Sequence, residues 1–94
     1  MKIIWTPLAK ESYANLLSFL TANYPLEIAL ELDDKVEKLT ERLLRFKYLC
    51  PASQSNPVLR RCFINRWLSM VYQVENDEIW IYNIHNNRLP NGFF

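Results

Sequence analysis

The sequence predicts an α+β fold: an N-terminal strand and a two-helix hairpin packed on one face of a mainly antiparallel four-stranded sheet. Three observations carry this. Apolar residues recur at helical spacing in the first half of the chain, they alternate in the second half, and turn-forming residues mark the boundaries between segments. With 94 residues, half of them apolar and 14% aromatic, the chain is long enough for one modest core, so residues 1–94 are expected to form a single domain.

Lys2 to Trp5 reads as a short strand. Thr6-Pro7 then signals a helix start, with threonine as N-cap and proline at the first helical position. Leu8, Ala9, Tyr13, Leu16, Leu17 and Leu20 follow with helical period, and Asn23-Tyr24-Pro25 breaks that helix while Pro25 opens the next. In the second helix Ile28, Leu32, Val36, Leu39, Leu43 and Phe46 form one apolar stripe along a rod of about six turns. Its other face carries Glu27, Glu31, Asp34, Lys38, Glu41 and Arg45, a pattern expected of a solvated surface.

Leu49 to Val58 has the composition of a loop. Three strands are expected after it, over Leu59–Ile64, Trp67–Val74 and Glu78–Ile84. Asn76-Asp77 supplies the positive-φ pair of a tight hairpin between the last two, a role the single glycine, Gly92, is too distant to fill. Leu68, Met70, Tyr72 and Val74 share one face of their strand. Trp67, Ser69, Val71 and Gln73 share the other, more polar face, which is expected to be open to water or to a partner.

A net charge of +1 gives no global sign of a nucleic-acid partner, but its distribution is uneven. After Pro51 the basic residues are Arg60, Arg61, Arg66 and Arg88, with no lysine, and the carboxylates cluster at Glu75, Asp77 and Glu78. No apolar run approaches the length of a membrane span, and no export signal is visible at Met1–Trp5, so a cytoplasmic location is expected. Cys50 and Cys62 lack metal spacing; reduced thiols are the expectation in that compartment, although sequence does not exclude a disulfide. One histidine and two cysteines make no metal site, and no phosphate loop or nucleophile elbow is present, so no metal and no cofactor are expected.

That leaves Arg60, Arg61, Arg66, His85 and Arg88 as candidates, and Trp67, an aromatic on the more polar face of its strand, joins Arg60, Arg61, His85 and Arg88 as a candidate for target binding. Adjacent strand positions send Arg60 and Arg61 to opposite faces; the one facing the helices needs a carboxylate or carbonyl partner. An arginine on such a strand is usually solvated, and a histidine at a strand end is more often a structural hydrogen-bonder. Function gains from convergence: guanidinium groups gathered on one sheet face bind phosphate or carboxylate bidentately. Phe93 and Phe94 are either wet, and so a partner site, or folded back and buried.

In this order, "IIWTPLAKESY" and "LRRCFINRWLSMVYQVENDEIWIYNIHNNRLP" resemble the RelE/ParE toxins of type II toxin–antitoxin systems over nearly the whole chain. The resemblance implies a small α+β toxin that inhibits growth, stabilises plasmids and is neutralised by a cognate antitoxin. A homodimer and a toxin–antitoxin heterotetramer are both compatible with it. RelE-like members cleave messenger RNA in the ribosome, using a basic cluster with an arginine in the "VYQV"-like strand and a tyrosine near the C-terminus. Here those positions hold Ser69 and the pair Phe93 and Phe94, and phenylalanine has no hydroxyl with which to move a proton. "IHNNR" instead resembles the ParE-like ending. The favoured expectation is thus a ParE-like protein that binds DNA gyrase through Arg60, Arg61, Trp67, His85 and Arg88 and its antitoxin through Phe93 and Phe94. The alternatives are a RelE-like, ribosome-dependent endoribonuclease with Arg61, His85 and Arg88 as catalytic groups, and an inactive relative that only binds antitoxin.

Overall fold

The computed structural model of the protein describes residues 1–88, and the expectation attached to Phe93 and Phe94 lies outside them. The elements run β1 (Lys2–Trp5), α1 (Pro7–Asn23), α2 (Leu26–Arg45), β2 (Leu59–Phe63), β3 (Leu68–Glu75) and β4 (Glu78–Asn86). The strands form one mixed sheet in the order β1-β4-β3-β2, in which β1 is parallel to β4 and the other pairs are antiparallel. No helix among the described residues is long and apolar enough to cross a membrane.

Local sequence signals account for most of the boundaries. Thr6 caps α1 by accepting a hydrogen bond from the Ala9 amide at 3.2 Å, and Pro7 takes the first turn, where its missing N–H costs nothing. Pro25 is the N-cap residue of α2, one position earlier than a first-turn proline. Asn76 and Asp77 hold φ of 51° and 61°, the left-handed pair that a tight hairpin requires.

Both helices pack on one sheet face. Ala9 of α1 and Leu32, Val36, Leu39 and Leu43 of α2 meet Cys62, Met70, Tyr72, Ile79, Ile81 and Ile84 of the sheet. The ends of the expected α2 stripe depart from it. Ile28 is 41% exposed and Phe46 62% exposed, because the first turn borders a groove and Phe46 has left helical geometry at the C-cap. Ala29 is buried in place of Ile28.

A register shift in the β3–β4 ladder controls which way the end of β4 faces. Tyr72 pairs with Ile81 but Val71 pairs with Asn83, so β4 carries one extra residue at Tyr82. Strict alternation from Ile79 and Ile81 would turn Asn83 and His85 toward the helices. The bulge reverses the parity, returning Ile84 to the core and sending His85 to the opposite face. The end of β1 braces this point. The Thr6 amide and hydroxyl both donate to the Ile81 carbonyl, at 3.0 and 2.9 Å.

Three sequence expectations are corrected. β4 continues past Ile84 through His85 to Asn86, because Ser69 and Leu68 pair with them. The sheet face away from the helices is less open than its polarity suggests. Ser69 and Val71 are fully buried there, each flanked in register by longer side chains: Phe63 and His85 for Ser69, Arg61 and Asn83 for Val71. Finally, Cys50 and Cys62 form a disulfide rather than remaining thiols. The loop after α2 doubles back along β2, with Ala52 bridging to Arg60 and the Arg61 amide donating to the Pro51 carbonyl. That path brings the two Cα atoms to 5.3 Å, within bridging range, which linear spacing does not reveal.

Candidate functional site

β2 presents its two adjacent arginines to opposite sides, as pleating demands. Arg60 lies on the helix side, where its Nη1 donates to the Cys50 carbonyl at 2.7 Å and its guanidinium stands 4.8 Å from the centre of the Tyr48 ring. This is the carbonyl partner that a helix-side arginine needs. Arg61 lies on the far face with Ser69 and His85 and is separated from Arg60 by the sheet.

Arg61 is the centre of a polar network. Its Nε donates to Ser69 Oγ at 3.2 Å and its Nη2 to Asn87 Oδ1 at 3.2 Å. The Ser69 hydroxyl also donates to Asn87 Oδ1. The guanidinium covers the Phe63 ring at 4.8 Å, leaving Phe63 itself 68% exposed. His85 sits directly across the ladder from Ser69 and is only 8% exposed. Arg61 and His85 thus approach Ser69 from its two flanking strands.

Asn87 holds this arrangement together. Its Nδ2 donates to the carbonyls of Asn65 and Arg66, at 3.4 and 3.2 Å, and its amide donates to the Trp67 carbonyl at 2.7 Å. The β2–β3 connection is shaped in turn by Asn65, whose Oδ1 accepts from the amides of Trp67 and Leu68 at 2.8 and 2.9 Å. Sequence reasoning missed the roles of Ser69, Asn87 and Asn65 as site components. The only local signal was the amide pair Asn86-Asn87 at a strand end, which reads as a turn; Asn86 does make one, accepting from the Arg88 amide at 2.9 Å.

Trp67 and Arg88 belong to a second feature. They line a groove of about 550 Å³ between the helices and the ends of β3 and β4, with Leu16, Phe19, Leu20, Tyr24, Ile28 and Leu32 as apolar walls and Glu31, Lys35, Asn65 and Asn86 as polar ones. Arg66 stacks over the Trp67 ring at 5.0 Å. Of the residues singled out from sequence, Arg61 and His85 flank Ser69, Trp67 and Arg88 line the groove, and Arg60 lies against the post-α2 loop, while Asn87 bonds both Arg61 and the Trp67 backbone. Among the described residues no group of His, Cys, Asp and Glu side chains is placed to hold a metal ion.

Residues 3–88 match the family described as the ParE toxin of the type II toxin–antitoxin system parDE. The chain belongs to the ParE toxin family. Solved structures share its fold. The chromosomal ParDE system of P. aeruginosa aligns with a TM-score of 0.75 at 20% identity, covering 92% of this chain and 95% of that one. The YoeB/ParE toxin of Agrobacterium tumefaciens aligns at 0.70 and 15% identity, covering 93% and 99%. The heterotetrameric YoeB-YefM toxin–antitoxin complex of Staphylococcus aureus aligns at 0.64 and 19% identity, covering 90% and 94%. The sequence has no match among curated proteins.

Proposed function

We propose that this ParE-family toxin inhibits growth by binding DNA gyrase and is neutralised by an antitoxin. The observation that carries the reading is the state of the Arg61 cluster. Its guanidinium is committed to Ser69 and Asn87, and His85 beside it is almost wholly covered. A general acid or base must reach the proton it transfers, whereas a recognition surface benefits from side chains held in one geometry. A supercoiling assay with purified gyrase tests it. Inhibition is expected from the intact toxin and is expected to weaken at least about tenfold in Arg61→Ala, the loss of one charged anchor. Failure of the folded toxin to inhibit at a large molar excess would remove gyrase as the target.

The groove is the surface that suits the antitoxin. Phe19, Ile28 and Trp67 offer exposed apolar walls, and Glu31, Lys35 and Arg88 offer charges at its margins. An amphipathic helix with apolar residues three and four apart fits such a trough. Ile28→Glu is expected to abolish neutralisation by the protein encoded beside the toxin while leaving gyrase inhibition intact.

One observation favours the ribonuclease alternative: Arg61 and His85 do flank the same residue. In that case induction would produce codon-phased cuts in messenger RNA by primer extension, and His85→Ala would remove them. Growth unaffected by expression without antitoxin would instead identify an inactive relative.

A further inference from the structure

The charges are segregated along the chain. No Asp or Glu lies between Glu41 and Glu75, and the cations in that interval begin with Arg42, Arg45 and Lys47 at the end of α2. The fold adds Arg60 to them, because β2 runs beside the segment that leaves α2. Arg60 stands over one side of the Tyr48 ring at 4.8 Å, and Lys47 Nζ lies 5.6 Å from its centre. Arg45, Phe46, Lys47 and Tyr48 line a shallow depression.

Part of this has an ordinary explanation. Arg42 and Arg45 complement the negative end of the helix dipole, Lys47 pairs with Asp77 at 3.1 Å, and Arg60 anchors the Cys50 carbonyl. The rings have none. Phe46 is 62% exposed and Tyr48 60% exposed, two residues apart, on a corner that the core does not use. An isolated exposed ring is unremarkable, but two wet rings set among four cations, one of them already stacked by a guanidinium, form a platform for flat, anionic ligands.

We propose that this corner, built from Arg42, Arg45, Phe46, Lys47, Tyr48 and Arg60, binds single-stranded DNA. Phosphates would be met by the cations and unpaired bases by the two rings, a combination that tolerates any sequence. A duplex fits less well, because its bases are already stacked and offer the rings nothing. The choice of DNA over RNA rests on the gyrase reading, since gyrase works on DNA; the surface itself does not depend on it.

The test is fluorescence anisotropy of a labelled oligo(dT) with the purified full chain and no gyrase present. Binding is expected with Kd of about 1–100 µM at physiological salt, strengthening as salt falls. Phe46→Ala and Tyr48→Ala are each expected to weaken it about tenfold. Arg45→Ala is expected to reduce the slope of log K against log salt by about 0.7. Lys10→Ala, which removes a charge from the exposed surface of α1, is expected to change neither quantity. The rings lie outside the core, so circular dichroism should show all variants folded. No binding by the wild type, undiminished binding by the Phe46→Ala, Tyr48→Ala double variant, or equal affinity for duplex would each overturn the proposal. Binding of oligo(U) in preference to oligo(dT) would overturn the assignment to DNA. Because gyrase is absent, none of these results bears on whether the toxin inhibits supercoiling.

Discussion

Arg61 Nε donates to the fully buried Ser69 Oγ at 3.2 Å, and both residues donate to the same oxygen, Asn87 Oδ1. Three elements are joined through one guanidinium: β2 supplies Arg61, β3 supplies Ser69, and the residue after β4 supplies Asn87.

Ser69→Ala removes the buried hydroxyl that accepts from Arg61 Nε and donates to Asn87 Oδ1. The expected cost is about 1–3 kcal/mol. Urea unfolding should show a lower midpoint with an unchanged m-value. Asn87→Ala should cost a similar amount, since it removes both the shared acceptor and the donors to Asn65 and Arg66. Because Ser69 and Asn87 act on the same guanidinium, the double variant should cost less than the sum of the singles.

Thr6 tests the link between the first helix and the bulge. One hydroxyl accepts from the Ala9 amide and donates to the Ile81 carbonyl. Thr6→Ala is expected to lose about 1–2 kcal/mol, lowering Tm by several degrees, whereas Thr6→Ser should keep most of the stability. Calorimetry on the two variants separates the hydroxyl from the methyl group.

The Cys50–Cys62 bridge closes a short loop, with a sequence separation of 12. Constraining a loop of that size in the unfolded chain is worth about 3 kcal/mol. A phosphine reductant should therefore lower Tm by more than about 10 °C. Cys50→Ser should show the reduced value and no further response to reductant. The fold itself should survive, because Arg60 and Tyr72 also tie this segment down: the Tyr72 hydroxyl donates to the Lys47 carbonyl at 2.9 Å.

Two tyrosines predict a loss of stability in alkali. Burial, reinforced by a hydrogen bond to Asp33, pushes the Tyr13 phenol well above its ordinary value, and burial also raises Tyr72. A raised pKa means that the folded state holds the proton more tightly than the unfolded state. The associated stability is complete below the unfolded pKa of about 10 and is lost as pH climbs from there toward the folded value. Urea midpoints measured from pH 9 upward should fall for the wild type, and the fall should be shallower in Tyr13→Phe.

Much of this architecture was legible without coordinates, for a local reason. The Thr6-Pro7 cap, the break at Asn23-Tyr24-Pro25, the α2 stripe and the Asn76-Asp77 hairpin all depend on residues within one or two turns of each other. Pleating alone likewise required that Arg60 and Arg61 diverge. The resemblance to RelE/ParE toxins extended the same element order to a family, and the match over residues 3–88 places the chain there.

The site was legible only as a set of residue types. Which side His85 faces follows from the extra residue at Tyr82, and that bulge shows only once β3 and β4 are aligned, with Thr6 from the opposite end of the chain bonded to Ile81. Whether Arg61 meets Arg88, and whether Cys50 meets Cys62, depends on how segments far apart in sequence pack together. Spacing along the chain fixes φ, ψ and periodicity; it fixes no distance between segments whose separation is set by ladder register and core packing. Sequence therefore determined the elements and their caps, while tertiary structure decided the company each polar side chain keeps.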